Sequence, residues 1–250
     1  MKGLEIKGFV EASFCDWDGK IAAVIFLGGC NLRCPFCQNG ELVLHPETIP
    51  SVDFLVLRDH LLKNQEWIDG VVVTGGEPTL WDDLGGLLQS MKRLGLGVKL
   101  DTNGTNPGVL EDLLSRALVD YVAMDIKGPL DERYARLAGT DVDLDAIRRS
   151  IAIIRSALGP RGAYEFRTTL VPGLIGEAEV TQVARAISGA ARYVLQQFIP
   201  QNALARDLRR AIPYSDDAVS RLLDAARPHV GSCFFRGKVA AAVSSAGGPI

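Results

Sequence analysis

The sequence predicts an α/β fold in which parallel strands carry helices on their outer side. Three observations lead there: apolar, β-branched runs alternate with amphipathic stretches, the connections are short, and glycine and polar residues collect at the C-terminal ends of the strands. Strand, helix, strand repeated with such short links calls for parallel pairing and right-handed crossovers. Six such units are too few to close a normal eight-stranded barrel, so an open three-quarter barrel and a doubly wound sheet both fit.

The elements follow in chain order. Leu4 to Lys20 alternates apolar and polar residues and is expected to form a short hairpin leading into the first strand. IAAVIFLGG (Ile21 to Gly29) is a continuous apolar run ending in glycines, the pattern of a strand buried on both faces. Further strands are expected at VVVTGG from Val71, VKLDTNG from Val98, YVAMDIKG from Tyr121, YEFRTTLVPG from Tyr164 and YVLQQFIP from Tyr193. Helical periodicity fills the gaps, in stretches starting at Val52, Leu80, Pro107, Leu144 and Glu177. A last helix begins near Ser215, where a serine cap precedes Asp216 and Asp217 in the first turn and the helix dipole favours negative charge. The tail SAGGPI is expected to fray.

Composition excludes several classes. The 250 residues are 47% hydrophobic and 23% charged, with a formal net charge of −3. A pI near 5.7 argues against a chain held on nucleic acid by bulk electrostatics. The N-terminus lacks the unbroken apolar core of a signal peptide, and no window approaches the roughly 20 apolar residues that span a bilayer. A cytoplasmic protein with neither nucleic acid nor membrane as partner is expected. Five cysteines, three of them clustered, do not look like a disulfide framework and favour a reducing compartment with a metal or redox use.

The cluster lies in GGCNLRCPFCQNGELV from Gly28, which places Cys30, Cys34 and Cys37 within eight residues. Three readings compete. Structural zinc needs a fourth ligand, which His45, Cys15 or Cys233 could each supply. A redox dithiol uses only Cys34 and Cys37. A cubane iron–sulfur cluster on three cysteines leaves one iron open to an exogenous ligand, since four cysteines are usual. Spacing alone leaves zinc a serious competitor. The wider context is a rim of unlike polar groups at the strand ends: Thr74 to Glu77, Asp101 to Asn103, Asp125 to Lys127, Arg167 to Thr169, and Gln196 with Gln197. In parallel α/β architectures ligands bind at this edge.

CxxxCxΦC after the first strand, with Phe36 at the aromatic place, and GGEP (Gly75 to Pro78) after the second resemble the radical S-adenosylmethionine superfamily. The resemblance runs from about Lys7 to Pro200 and implies a partial (β/α)6 barrel, one domain over 1–250 with a helix and strand extension over 201–250. It implies a [4Fe–4S] cluster on Cys30, Cys34 and Cys37, with S-adenosyl-L-methionine chelating the open iron. Gly75 and Gly76 would offer main-chain groups to the methionine ammonium, and Glu77 would fix the turn. Asp125 and Lys127 would contact the amino-acid end, with Arg167 a further candidate for the carboxylate. Asp101 and Asn103 would join the cofactor site or cap the following helix. Phe36, Val171 and the backbone from Gln197 through Phe198 to Ile199 would surround the adenine, with VPGLIGEAE as the adenine-contact segment.

Over its whole length the chain is similar to the activating proteins of anaerobic ribonucleoside-triphosphate reductase. That resemblance implies a glycyl-radical enzyme as partner and an electron donor such as flavodoxin or ferredoxin. No cysteine lies between Cys37 and Gly75, so a ferredoxin-like insertion is missing, and no cysteine-rich extension follows Pro200. Trp17-Asp18 stands where an aromatic-proline pair is expected, and Gln38 where histidine or asparagine is common. Two other classes stay open: a radical enzyme acting on a small molecule or nucleotide, and a zinc-binding or redox module. The plain alternatives are a salt bridge for Asp125 and Lys127, a carboxylate partner for Arg167, packing roles for Cys15 and Cys233, surface or packing roles for His45, His60 and His229, and a solvated helix face for Arg206 to Arg210.

Overall fold

The computed structural model describes residues 4–159 and 163–237, so the expected fraying of SAGGPI lies outside the described residues. Among the described residues eight strands form one sheet in chain order: β1 (Ile6–Ser13), β2 (Ala22–Leu27), β3 (Gly70–Gly75), β4 (Gly97–Thr102), β5 (Tyr121–Asp125), β6 (Tyr164–Leu170), β7 (Tyr193–Gln197) and β8 (Cys233–Arg236). The first pair is antiparallel and the remaining six are parallel. β1 and β8 occupy the two edges of an open sheet. The six strands expected from the apolar runs are β2 to β7.

One expectation needs correcting. Leu4 to Lys20 is not a hairpin in itself; it supplies a single strand, β1, which folds back on β2 with Val10 opposite Val24. The reversal falls at Asp18-Gly19, where Gly19 takes φ +76°. The strand pattern on both sides of that turn belongs to one hairpin, whose second arm is the first parallel strand.

The helices are α1 (Gly40–Leu44), α2 (Phe54–Lys63), α3 (Leu84–Arg93), α4 (Pro107–Ser115), α5 (Arg133–Ala138), α6 (Leu144–Leu158), α7 (Glu177–Ala186) and α8 (Asp216–Ala226). Side chains start three of them: Asp53 accepts from Leu55 N, Asp143 from Asp145 N, and Ser215 from Ala218 N. The apolar stripe of α3 (Leu84, Leu87, Leu88, Met91) joins a large core with one face of the strands, including Ile25, Leu27, Val73 and Met124. The alternate residues Ala22, Val24, Val72 and Ala123 build a small second cluster on the other face around Trp17. Burial on both faces is why the strands read as unbroken apolar runs. No described helix is long and apolar enough to cross a membrane.

The turn between β1 and β2 crosses to the far edge of the sheet. Asp18 pairs with Arg192 at 3.1 Å and with Arg236 of β8 at 3.4 Å, while Lys99 Nζ donates to the Asp16 carbonyl. Flat, β1 and β8 would stand seven spacings apart, roughly 34 Å at about 4.8 Å each. The sheet therefore curls, and this turn closes the N-terminal end of its inner face, with Trp17 6.0 Å from the Tyr121 ring.

Candidate active site

The cysteine loop leaves β2 through Gly28 and Gly29 and is tied down along its length. Arg33 N donates to Ala138 O at 2.8 Å, where α5 ends in left-handed Gly139; a Cβ there would lie 2.0 Å from Arg33 O. From the other side, Ala205 N donates to Pro35 O and Leu204 N to Cys37 O. Trp81 Nε1 holds the Gly28 carbonyl at 3.0 Å. The loop is thus pinned by the segments after β3, β5 and β7.

GGEP locks onto this loop through its backbone. Gly76 N donates to Leu27 O and Glu77 N to Gly29 O, both at 2.8 Å. Gly75 takes φ +116°, and a Cβ on Gly76 would stand 1.8 Å from Gly29 O, a backbone atom that cannot rotate away. Gly76→Ala should therefore destabilise the protein by at least about 1–3 kcal/mol, seen as a lower urea midpoint at unchanged slope. An unchanged midpoint would show that the close approach costs nothing.

Glu77 is buried, and its carboxylate accepts from Thr79 N at 3.1 Å, Thr79 Oγ1 at 2.5 Å, Thr102 Oγ1 at 2.7 Å and Asn103 N at 2.6 Å. Burial pushes its pKa up against these donors. The residue is a tie between the ends of β3 and β4, a larger role than capping one turn. Asn103, expected at the cofactor or at a helix cap, lines the cavity and faces the cysteine loop; the cap position of α4 is Asn106.

The loop and the strand ends enclose a cavity of about 970 Å³ lined by Cys30, Cys34, Phe36, Cys37, Gly75, Gly76, Glu77, Asp101, Asn103, Asp125, Lys127, Arg167, Gln197, Phe198 and Ile199. Val171, expected beside the adenine, is not among the lining residues. It is fully buried in the main core, and its carbonyl accepts from Leu174 N and Ile175 N, so VPGLIGEAE turns away into α7. Cys15, expected to pack, is exposed and lines the cavity with Asp16, whereas Cys233 is buried. Asn31, Asn39 and Arg236 were not anticipated from the sequence: Asn39 donates to Gly75 O at 3.1 Å, and Arg236 lines the floor while pairing with Glu165 at 2.6 Å.

A chain of charge crosses the cavity wall. Arg167 donates from Nη1 to Asp101 at 2.9 Å and from Nε to Asp125 at 2.7 Å, and Lys127 Nζ reaches the other Asp125 oxygen at 3.0 Å. These residues sit in β4, in β6 and at or just past the end of β5, neighbours in the sheet. Burial by itself would raise the Asp125 carboxyl, but the charges of Arg167 and Lys127 outweigh it and hold it down at about 2. A carboxyl lowered from its ordinary value near 3.9 stabilises the fold fully above that pH and stops doing so as pH falls through about 2. Asp125→Asn should therefore flatten the loss of stability between about pH 4 and pH 2, measured as urea midpoint against pH. Retention of the wild-type slope would rule this out. Asp101 Oδ1 is buried without a hydrogen bond, with Lys99 Nζ at 3.7 Å.

The five cysteines are free thiols. Burial pushes the Cys34 thiol up to about 11, and Cys30 is raised for the same reason, with the Lys127 charge pulling both the other way. Among the described residues, no three His, Cys, Asp or Glu side chains converge on one metal ion. A multi-iron cluster, which takes each thiolate on a separate iron, asks for less convergence. Three half-buried to buried thiols, a roomy cavity beside them and an orphaned carboxylate oxygen on its wall fit a cluster with a polar ligand next to it.

Such a loop on a curled parallel sheet has the thiols and the space that an enzyme with a thiolate-bound cofactor at its strand ends needs. The chain belongs to the radical SAM superfamily, whose description matches residues 24–182, and it is a radical SAM enzyme. Members of that superfamily use a [4Fe–4S] cluster and S-adenosyl-L-methionine. The chain is 31% identical over 245 residues to MJ1227 of Methanocaldococcus jannaschii, named provisionally as a glycyl-radical enzyme activating enzyme; 94% of this chain and 97% of that protein are covered. It is 39% identical over 93 residues to the 7-carboxy-7-deazaguanine synthase of Halobacterium salinarum, covering 35% of each. Among solved structures, SuiB of Streptococcus suis bound to its precursor peptide SuiA gives a TM-score of 0.60 at 16% identity over 86% of this chain. The chain spans about half of SuiB, 48% of its length. QueE of Escherichia coli gives 0.54 at 14% identity, covering 95% of this chain and 96% of that one. At such identities these structures speak for the fold alone.

Proposed function

We propose that this enzyme cleaves S-adenosyl-L-methionine reductively and installs a glycyl radical on a partner enzyme, with Cys30, Cys34 and Cys37 holding the cluster. The similarity to MJ1227 along nearly the whole of both chains carries this reading. Held by Cys30, Cys34 and Cys37, the cluster would supply one electron for reductive cleavage of the S–C5′ bond, which would yield methionine and a 5′-deoxyadenosyl radical able to take a hydrogen atom from the substrate. The protein's part is to bind, orient and exclude water. Lys127 has three N–H donors and spends one on Asp125, so it can also meet the methionine carboxylate. Asp125 and the Gly76 carbonyl are suited to the ammonium, and Phe36 with the Gln197–Ile199 backbone to the adenine. Arg167 keeps Asp125 ionised for that task.

The partner in this reading is anaerobic ribonucleoside-triphosphate reductase, with flavodoxin or ferredoxin as electron donor, and the chain works as a single domain in the cytoplasm. An open sheet edge lets a peptide loop approach the cavity, which supports a macromolecular substrate. The test incubates reconstituted enzyme, S-adenosyl-L-methionine and a reductant anaerobically with a reductase carrying its glycine loop. A glycyl doublet by electron paramagnetic resonance, with about one S-adenosyl-L-methionine consumed per radical, is the expected result. Cleavage without any doublet would defeat the activase reading. A second reading, a small-molecule or nucleotide substrate, is favoured by the local similarity to the deazaguanine synthase; multiple turnover on a small molecule or nucleotide without partner protein would make it the better one.

A further inference from the structure

Asn103 follows β4 and closes a small polar knot between that strand end and the cysteine loop. Its Oδ1 accepts from Thr105 N at 3.0 Å and from Thr105 Oγ1 at 2.7 Å. Those two donors fix the amide, so Nδ2 must face the other way. There it donates to Asn31 Oδ1 at 2.9 Å and points at Cys30 Sγ from 3.8 Å. Asn31 closes the ring by donating to Thr105 Oγ1 at 2.9 Å. Behind the knot, the Asn103 backbone N–H is held by the buried Glu77 carboxylate at 2.6 Å. Asn103 is itself buried. The side chain is thus oriented from two sides, and one N–H is aimed at the sulfur of the first cysteine.

A hydrogen bond to a thiolate sulfur withdraws electron density from the metal it binds and makes one-electron reduction easier. We propose that Asn103 is a positioning residue that sets the reduction potential of the cluster through its N–H on Cys30, with Thr105 and Asn31 holding the amide in that orientation. The proposal rests on the reading that Cys30, Cys34 and Cys37 hold the cluster. It assigns the Glu77 tie a purpose, because the carboxylate that joins β3 to β4 places this backbone. An aspartate at position 103 could accept from Thr105 equally well and could donate nothing to the sulfur.

The experiment compares anaerobically reconstituted wild type, Asn103→Asp, Asn103→Ala and Thr105→Val, without substrate. Iron and sulfide per chain are measured first, then the midpoint potential by redox titration followed in the visible spectrum and by electron paramagnetic resonance. Expected is a more negative midpoint in all three variants at wild-type iron content, largest for Asn103→Asp and smallest for Thr105→Val. Unchanged midpoints at full iron content overturn the proposal. Loss of iron in the variants with an unchanged midpoint for the cluster that remains makes the knot merely structural, and overturns it too. Wild type that binds no iron brings down the cluster reading itself, an outcome distinct from both.

Discussion

Serine at any one of Cys30, Cys34 or Cys37 is expected to leave a folded protein that retains no [4Fe–4S] cluster and cleaves S-adenosyl-L-methionine only at background. The three sulfurs bear little of the fold's weight: the loop is held by backbone bonds to Ala138, Leu204 and Ala205 and by Trp81 on Gly28. The oxygen of a buried serine at position 34, where the thiol is 6% exposed, costs about 1–3 kcal/mol if it finds no partner. That loss is small beside the loss of a ligand, since a thiolate is what the iron binds. Cys15→Ser and Cys233→Ser are the controls, and both should keep iron and cleavage activity. Iron and sulfide analysis after reconstitution, read beside the thermal midpoint, decides the matter. If Cys15→Ser loses iron while Cys30→Ser keeps it, the ligand set is wrong.

Arg167→Met should cost roughly 3 kcal/mol or more of stability, towards the lower end of the 3–5 kcal/mol typical of a broken buried ion pair. The guanidinium is 9% exposed and is shared by Asp101 and Asp125, so its removal leaves two carboxylates facing each other with less compensation. Lys127 stays at 3.0 Å from Asp125 and Lys99 at 3.7 Å from Asp101, which keeps the loss from the upper end. For a chain of this size the melting temperature should fall by roughly 6–12 °C. The Asp125 carboxyl should rise from about 2 towards its ordinary value or beyond, because burial then meets less opposing charge. Adding Asp101→Asn should recover much of the loss by removing one of the stranded charges. A single variant as stable as wild type would mean that the charge chain is idle.

Much of this architecture is legible in the amino-acid order, for reasons that particular residues show. Ile21 to Gly29 is apolar without a break because β2 is covered by helices on one face and by the Trp17 cluster on the other. The long helices carry full apolar stripes and capping side chains, so Leu144 to Leu158 is the same span in sequence and structure. By contrast α1 and α5, of five and six residues, are too short for a period to show. The candidate site divides along the same line. Residues within a strand or at its last position, such as Asp101, Asp125 and Arg167, reach the cavity because the strand aims them there. Val171 lies one residue past its strand, where the backbone turns and an apolar side chain is drawn into the core. Asn31 and Thr105 carried no signal, since a polar knot between segments 74 residues apart leaves no local pattern. Cys15 was expected to pack because small thiols usually do; it lies instead on a turn whose Trp17 takes the buried place.

The turn at Asp18 has a consequence for how the molecule is assembled over time. Its partner Arg236 lies 218 residues further along, in the final strand of the sheet. A nascent chain leaving the ribosome can therefore complete GGEP and the Glu77 tie long before β8 exists to meet that turn. Contacts between residues so far apart in sequence form late, because the intervening loop must be closed first. Until then the inner face stays open at its base as well as at its mouth. Folding is thus expected to pass through a stage in which β2, β3 and β4 are already joined while solvent still reaches the inner face from below, until β8 arrives to meet the turn.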